Sequence, residues 1–252
     1  MIVTKDNLTV HIFSATREMS CAAAQEVSNK IKELLKEKET INMLFAAAPS
    51  QSDFFKSLIE SKGVEWNRIN AFHLDEYIGL EKDATQRFGN FLKIELFDYL
   101  PFKSIFYLNG QEPLNGECER YAEVLNQYPT DIACIGIGEN GHIAFNDPHV
   151  ADFCDEKAVK IVELDQMCRQ QQVNDGCFEK LGDVPTHALT LTIPTILSAP
   201  YIYCIVPYKS KAQAVYKTLN GDISENCPAS VLRRKKGAML FLDADSASLL
   251  TR

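Results

Sequence analysis

The chain has 252 residues, of which 46% are hydrophobic and 24% charged, and a formal net charge of -8. That length and composition can support a sizeable buried core. The acidic balance argues against a nucleic-acid partner, whose phosphates call for clustered Lys and Arg. No stretch approaches the roughly 20 apolar residues of a membrane span. The N-terminus lacks the apolar core of a signal peptide, so a cytoplasmic protein is expected.

Taken in chain order, a first strand is expected over 9–13, then a long helix over 17–38 rich in Ala, Glu, Lys and Leu. A strand over 41–47, a helix over 51–61 and a strand over 69–74 follow. The segments 87–99 and 115–127 carry apolar residues at helical spacing. Ile132-Ala133-Cys134-Ile135 is a short apolar run that fits a buried parallel strand. Further strands are expected over 158–162, 188–192, 201–206 and 238–242, with a helix over 209–219 and a loop or lid over 149–157. Short apolar runs alternate with amphipathic segments, and no linker or repeat divides them. The pattern predicts a single α/β domain, a three-layer, doubly wound, Rossmann-like and mostly parallel sheet with helices on both faces. The eight cysteines show no C-x-x-C pair and read as reduced thiols. The run Arg233-Arg234-Lys235-Lys236 reads first as a solvated turn before a strand and second as the rim of an anionic-ligand site.

The most informative stretch runs Ile135-Gly136-Ile137-Gly138-Glu139-Asn140-Gly141-His142-Ile143-Ala144-Phe145-Asn146-Asp147-Pro148. A buried strand ending in glycines sits where open α/β sheets bind ligands, because glycine allows sharp turns and close approach. The spacing is not the dinucleotide fingerprint, since no amphipathic helix opens after it. His142 is of the residue type that titrates near neutral pH, and a carboxylate at Asp147 can orient its imidazole. Two other strand ends join it. His73-Leu74-Asp75-Glu76-Tyr77 puts adjacent carboxylates after a buried strand; they are either a helix-cap pair or, sent to opposite sides by strand alternation, a candidate base and a neighbour. Pro207-Tyr208-Lys209-Ser210-Lys211 brings lysines to a helix start, where an anion would be favoured.

Leu74-Asp75-Glu76-Tyr77-Ile78-Gly79-Leu80 and the segment from Gly136 to Pro148 resemble the glucosamine-6-phosphate deaminase/isomerase family, which is related to 6-phosphogluconolactonases. The resemblance runs from Ile41 to about Leu250. The Phe145-Asn146-Asp147-Pro148 ending is similar to the deaminase branch. It implies conversion of glucosamine 6-phosphate, or galactosamine 6-phosphate, to a ketose phosphate and ammonia without metal or organic cofactor. It also implies Asp75 as the base at C2, His142 as the ring-opening group paired with Asp147, Asn140 as a positioning amide and Lys211 as a phosphate ligand. Glu76, Gly138 and Gly141 join the expected substrate-binding set. Where the family carries a Gly-Gly-Thr/Ser phosphate loop, this chain reads Ala46-Ala47-Ala48-Pro49-Ser50-Gln51-Ser52, so Ser50 and Ser52 are the candidates there. The family's phosphate arginine is replaced, and Arg169 is the nearby candidate. A homo-oligomer is compatible with the resemblance. Lactone hydrolysis and non-catalytic sugar-phosphate binding are the alternative functions.

Overall fold

The computed structural model describes residues 1–111, 113, 114 and 116–250. Its central feature is a sheet of eight strands: β1 (Ile2–Lys5), β2 (Leu8–Ile12), β3 (Ile41–Phe45), β4 (Ile69–His73), β6 (Ser104–Phe106), β7 (Ile132–Ile135), β10 (Tyr201–Val206) and β11 (Ala238–Leu242). Their order across the sheet is β1-β2-β11-β10-β7-β3-β4-β6. All neighbours pair in parallel except β1, which folds back on β2 as an antiparallel edge. Strands β3, β4 and β7 are buried along their whole length, which explains their mostly apolar sequences, since a parallel strand is covered on both faces; the buried Asn42 and Asn70 are paired with each other at 2.9 Å. Met43 and Phe45 of β3 pack against helices α1 (Thr16–Leu34) and α2 (Ser52–Ile59). Leu44 points the other way, to the layer containing α4 (Glu117–Gln127) and α7 (Ala212–Asn220). Helix α1 buries Met19, Ala23, Val27 and Ile31, the four-residue spacing of a single helical face.

The chain runs from β3 outward to β4 and β6, then returns to β7 and proceeds the opposite way to β10 and β11. The strand order therefore reverses between β3 and β7, and the loops after these two strands open a crevice, the preferred ligand position of such sheets.

Several elements differ from expectation. The strands over 158–162 and 188–192 do not continue the large sheet. They are β8 (Val159–Glu163) and β9 (His187–Leu191), which form a separate antiparallel sheet with β5 (Asp75–Tyr77), in the order β5-β9-β8. Helix α3 (Phe88–Leu92) passes into a π-helical turn over Lys93–Phe97. The sequence pattern did not reveal α5 (Gln166–Asn174) or the short α6 (Ile193–Leu197). The helix expected from 115 begins at Glu117, and residue 115 lies outside the described residues. The segment 149–157 is a loop, but none of its residues lines the crevice. All eight cysteines are free thiols. Arg233 is spent on Asp6 and on the Gly221 carbonyl, away from the crevice.

The end of β4 is fastened from beneath. The Tyr121 hydroxyl receives the His73 N–H at 3.2 Å and lies 3.0 Å from the His73 carbonyl and 3.2 Å from the Phe106 carbonyl. Tyr121→Phe keeps the ring but strands these buried groups, so it should cost about 1–3 kcal/mol of unfolding free energy. Urea denaturation of the two proteins measures this.

Candidate active site

The loop after β7 owes its shape to two glycines. Gly141 has φ +91, a left-handed conformation that side chains resist, and a Cβ there would come within 2.8 Å of the Cys227 Sγ. Its carbonyl accepts the Ala229 N–H at 2.8 Å, so the turn is braced by the segment before β11. Gly138 acts by leaving room, since a Cβ there would collide with the His142 ring, which lies flat against its backbone. Neither glycine contributes a side-chain contact; together they decide where the imidazole sits.

His142 lines the crevice, and its Nδ1 lies 3.0 Å from Asp147 Oδ1, in an approach that is bent rather than linear. Asp147 is wholly buried. Its Oδ1 also accepts from Asn140 Nδ2 at 2.8 Å, and its Oδ2 accepts from the Asp165 N–H at 3.3 Å. Burial alone would raise the Asp147 carboxyl, but His142, Asn140 and the Asp165 N–H outweigh it and hold the group below its ordinary value. Asn140 reaches Asp165 Oδ2 at 3.2 Å as well, and its Oδ1 accepts the His142 N–H at 3.0 Å. Asn140 and Asp147 thus stand behind His142 and do not line the crevice.

Asp75 and Glu76 are separated by strand alternation. Asp75 faces the crevice; burial and then the Glu76 charge push its carboxyl well above the ordinary value. Glu76 faces the opposite way, contrary to its expected contact with substrate. It accepts N–H groups from Tyr77 (2.9 Å), Phe88 (3.0 Å) and Gly89 (3.1 Å), with Arg87 Nε 3.6 Å away. The carboxylate thereby occupies the N-terminus of α3, where free N–H groups and the helix dipole favour an anion. The small sheet joins the two halves of the site. Asp75 of β5 lies opposite Thr190 of β9, and Thr190 Oγ1 accepts the Phe145 N–H at 3.1 Å. Asn146 Nδ2 donates to the Leu191 carbonyl of the same strand at 2.8 Å.

Lys211 follows β10 in a 3-10 turn (Lys209–Lys211) and is 3% exposed. Its side chain lines the crevice beside Ser50, Gln51 and Gln172, and its ammonium makes no hydrogen bond or ion pair with any described residue. Burial lowers its pKa, opposed by Asp175 and Glu139. Ser52 begins α2 and does not line the crevice. Arg169 does not replace a phosphate ligand: its Nη2 donates to the Leu181 and Val184 carbonyls, both at 2.8 Å, and tethers the segment after α5. The residues of α5 that do reach the crevice are Gln171 and Gln172, which sequence reasoning missed. The crevice is open to solvent, and its wall also includes Phe88 and Phe145.

Two groups of donor atoms could hold a metal among the described residues: His142, Asp147 and Cys168, and Asp147, His149 and Asp165. Both depend on Asp147, whose two oxygens already accept hydrogen bonds. Burial raises the Cys168 thiol well above its ordinary value, which keeps it protonated and a poor ligand.

The sequence pattern of a family described as glucosamine-6-phosphate isomerases/6-phosphogluconolactonase matches residues 14–241. The chain belongs to this family. Within it, a glucosamine-6-phosphate deaminase of Bacillus cereus is 36% identical over 220 residues, covering 87% of this chain and 82% of its own. One of Bacillus anthracis is 37% identical over the same coverage. A solved monomeric glucosamine-6-phosphate deaminase superposes with TM-score 0.85 at 32% identity, covering 95% of this chain and 99% of its own. A 6-phosphogluconolactonase from Thermotoga maritima has TM-score 0.75 at 20% identity, with 94% and 99% coverage, a likeness of fold. No described helix of this family member is long and apolar enough to cross a membrane.

The raised Asp75 carboxyl has a consequence for stability. Its contribution is fully present below the unfolded pKa, about 3.9, and is lost as pH rises through the folded value. Asp75→Asn should therefore melt at a higher temperature than the native protein near pH 8, and the gap should shrink towards pH 4; thermal scans across that range measure it. Gly138→Ala should displace the imidazole and lower turnover about 10²-fold or more, with circular dichroism unchanged.

Proposed function

We propose that this protein isomerises and deaminates an amino-sugar phosphate, with glucosamine 6-phosphate the first candidate and galactosamine 6-phosphate the second. The observation that carries this reading is the convergence in one crevice of a desolvated carboxylate, Asp75, an Asp147-backed imidazole, His142, and an unpaired buried ammonium, Lys211. The family relatives named as deaminases support the same reaction.

Each group has a role suited to its surroundings. Lys211 and the Ser50 hydroxyl bind the phosphate. His142 takes the proton of the C1 hydroxyl and delivers it to the ring oxygen, which opens the pyranose to an aldehyde. The C2 proton, now acidified by the adjacent carbonyl, passes to Asp75, which leaves an O1 enolate with the amine still on C2. Asp75 returns that proton to C1 and leaves an imine at C2. Water adds to the imine, the C–N bond breaks, and ammonia and fructose 6-phosphate result. A desolvated carboxylate is a stronger base than an exposed one, which matches the demands of carbon deprotonation. Gly138 and Gly141 contribute through backbone shape, and Asn140 through Asp147.

An ammonia-release assay with both hexosamine 6-phosphates tests the proposal; no ammonia and no ketose phosphate from either would overturn it. Asp75→Asn should lower kcat by about 10²–10⁴-fold with little change in KM, because the base acts chiefly in the transition state. The native enzyme should gain activity as pH rises through the Asp75 ionisation, since only the carboxylate can accept the C2 proton. That limb should lie above the ordinary carboxylate range, as the burial of Asp75 dictates. A limb near pH 4 in kcat/KM would remove Asp75 from this role.

A further inference from the structure

The anion end of the crevice is unusual in its charge. Apart from His142, Lys211 is the only side chain among the described lining residues that can carry positive charge. Of the other polar lining groups, Ser50, Gln51, Gln171 and Gln172 are neutral and Asp75 is an acid. Gln51 Nε2 is held by the Ile205 carbonyl at 3.1 Å. Gln171 is occupied too, accepting the Glu139 N–H at 2.8 Å and donating to Asp175 Oδ2 at 3.2 Å. Gln172 is buried and makes no side-chain hydrogen bond with a described residue, so its amide is available to a ligand. The acidic groups that act on the Lys211 ammonium are Asp175, at the end of α5, and Glu139, in the loop after β7; the Cys168 thiol also faces it. Asp75 lines the same crevice.

We infer that the Lys211 subsite is built for a singly charged oxyanion ester, and that the neutral amide of Gln172 sets this preference. The inference rests on the sugar-phosphate reading and narrows its substrate class to a phosphate monoester bound as its monoanion. A second negative charge would be attracted once more by Lys211, but it would also meet Asp175 and Glu139. Its desolvation penalty grows with the square of the charge, and only neutral donors offset that growth. A protonated phosphate oxygen, in contrast, can donate to the Gln172 carbonyl while the other oxygens accept from Lys211 and Ser50.

The probes are 2-amino-2-deoxyglucitol 6-phosphate and its 6-sulfate, open-chain amines without the carbonyl that turnover requires. Calorimetry measures both between about pH 5 and pH 8, across the second phosphate ionisation near pH 6. The sulfate ester carries one charge throughout. Titration of Lys211, His142, Asp75, Glu139 or Asp175 acts on both ligands and cancels to first order in the ratio of their dissociation constants. That ratio, phosphate over sulfate, should rise at least about fivefold across the range, against a ceiling of about a hundredfold if the dianion is excluded. In Gln172→Arg, and in Gln172→Lys as a second variant, the rise should vanish or reverse. A constant or falling ratio in the native protein overturns the inference, as does a rise unchanged in both folded variants. Selective binding by a protein that releases no ammonia upholds the charge preference and removes the deaminase reading. Ammonia release with a falling ratio does the opposite.

Discussion

The site depends on one crossing of the chain. Strand β4 belongs to the large parallel sheet and ends at His73; β5 belongs to the small antiparallel sheet and begins at Asp75. Only Leu74 lies between, so the chain must change sheets within a single residue. Strand geometry then fixes the outcome, because successive side chains point to opposite faces. Asp75 enters the crevice and Glu76 enters the base of α3. The two acids are adjacent in sequence but serve different ends, one left without a hydrogen-bond partner among the described residues and one held by three N–H groups. The anchored acid also raises the proton affinity of the free one.

The same division recurs across the crevice. Asp147, Asn140 and Asp165 form a closed hydrogen-bonded set behind His142, so structure and reactivity are assigned to different layers. Asp75 and Lys211, which line the crevice, make no side-chain hydrogen bond with a described residue, whereas Asp147 and Asn140 behind it are held on both sides. This is the arrangement expected where strain and desolvation are concentrated at a working surface and offset by the scaffold around it.

The sequence made some of this legible and concealed the rest for physical reasons. Mostly apolar runs reveal β3, β4 and β7, because strands buried on both faces have no solvent-facing side to confuse the pattern. Strand alternation is enough to separate Asp75 from Glu76. The pairing of β8 departs from the expected large sheet, and its sequence Val-Lys-Ile-Val-Glu gives no sign of it: Val159 and Val162 are buried three residues apart while Ile161 is exposed, so no two-residue period marks one covered face. Helix α5 escapes because its buried face is Cys168, Gln171 and Gln172: the spacing is helical, but two of the three are polar and no hydrophobic periodicity betrays them. That omission also draws attention to Arg169, whose charge suggests a ligand but whose guanidinium is committed to two carbonyls. The crevice polarity on that side comes from amides, which leave no charge signature in a sequence.

The contact between Gly141 and Cys227 links two stretches some 86 positions apart, as counted from their residue numbers. The sulfur lies 2.8 Å from where a Cβ at 141 would stand, and the left-handed backbone there tolerates no ordinary side chain. Drift at position 227 is therefore not free. A bulkier residue would press directly on the turn that aims the imidazole, while a smaller one would leave it without support. Position 141 is held to glycine by its backbone alone, so the constraint falls on 227, and a redesign of the C-terminal third inherits it from a loop it never joins.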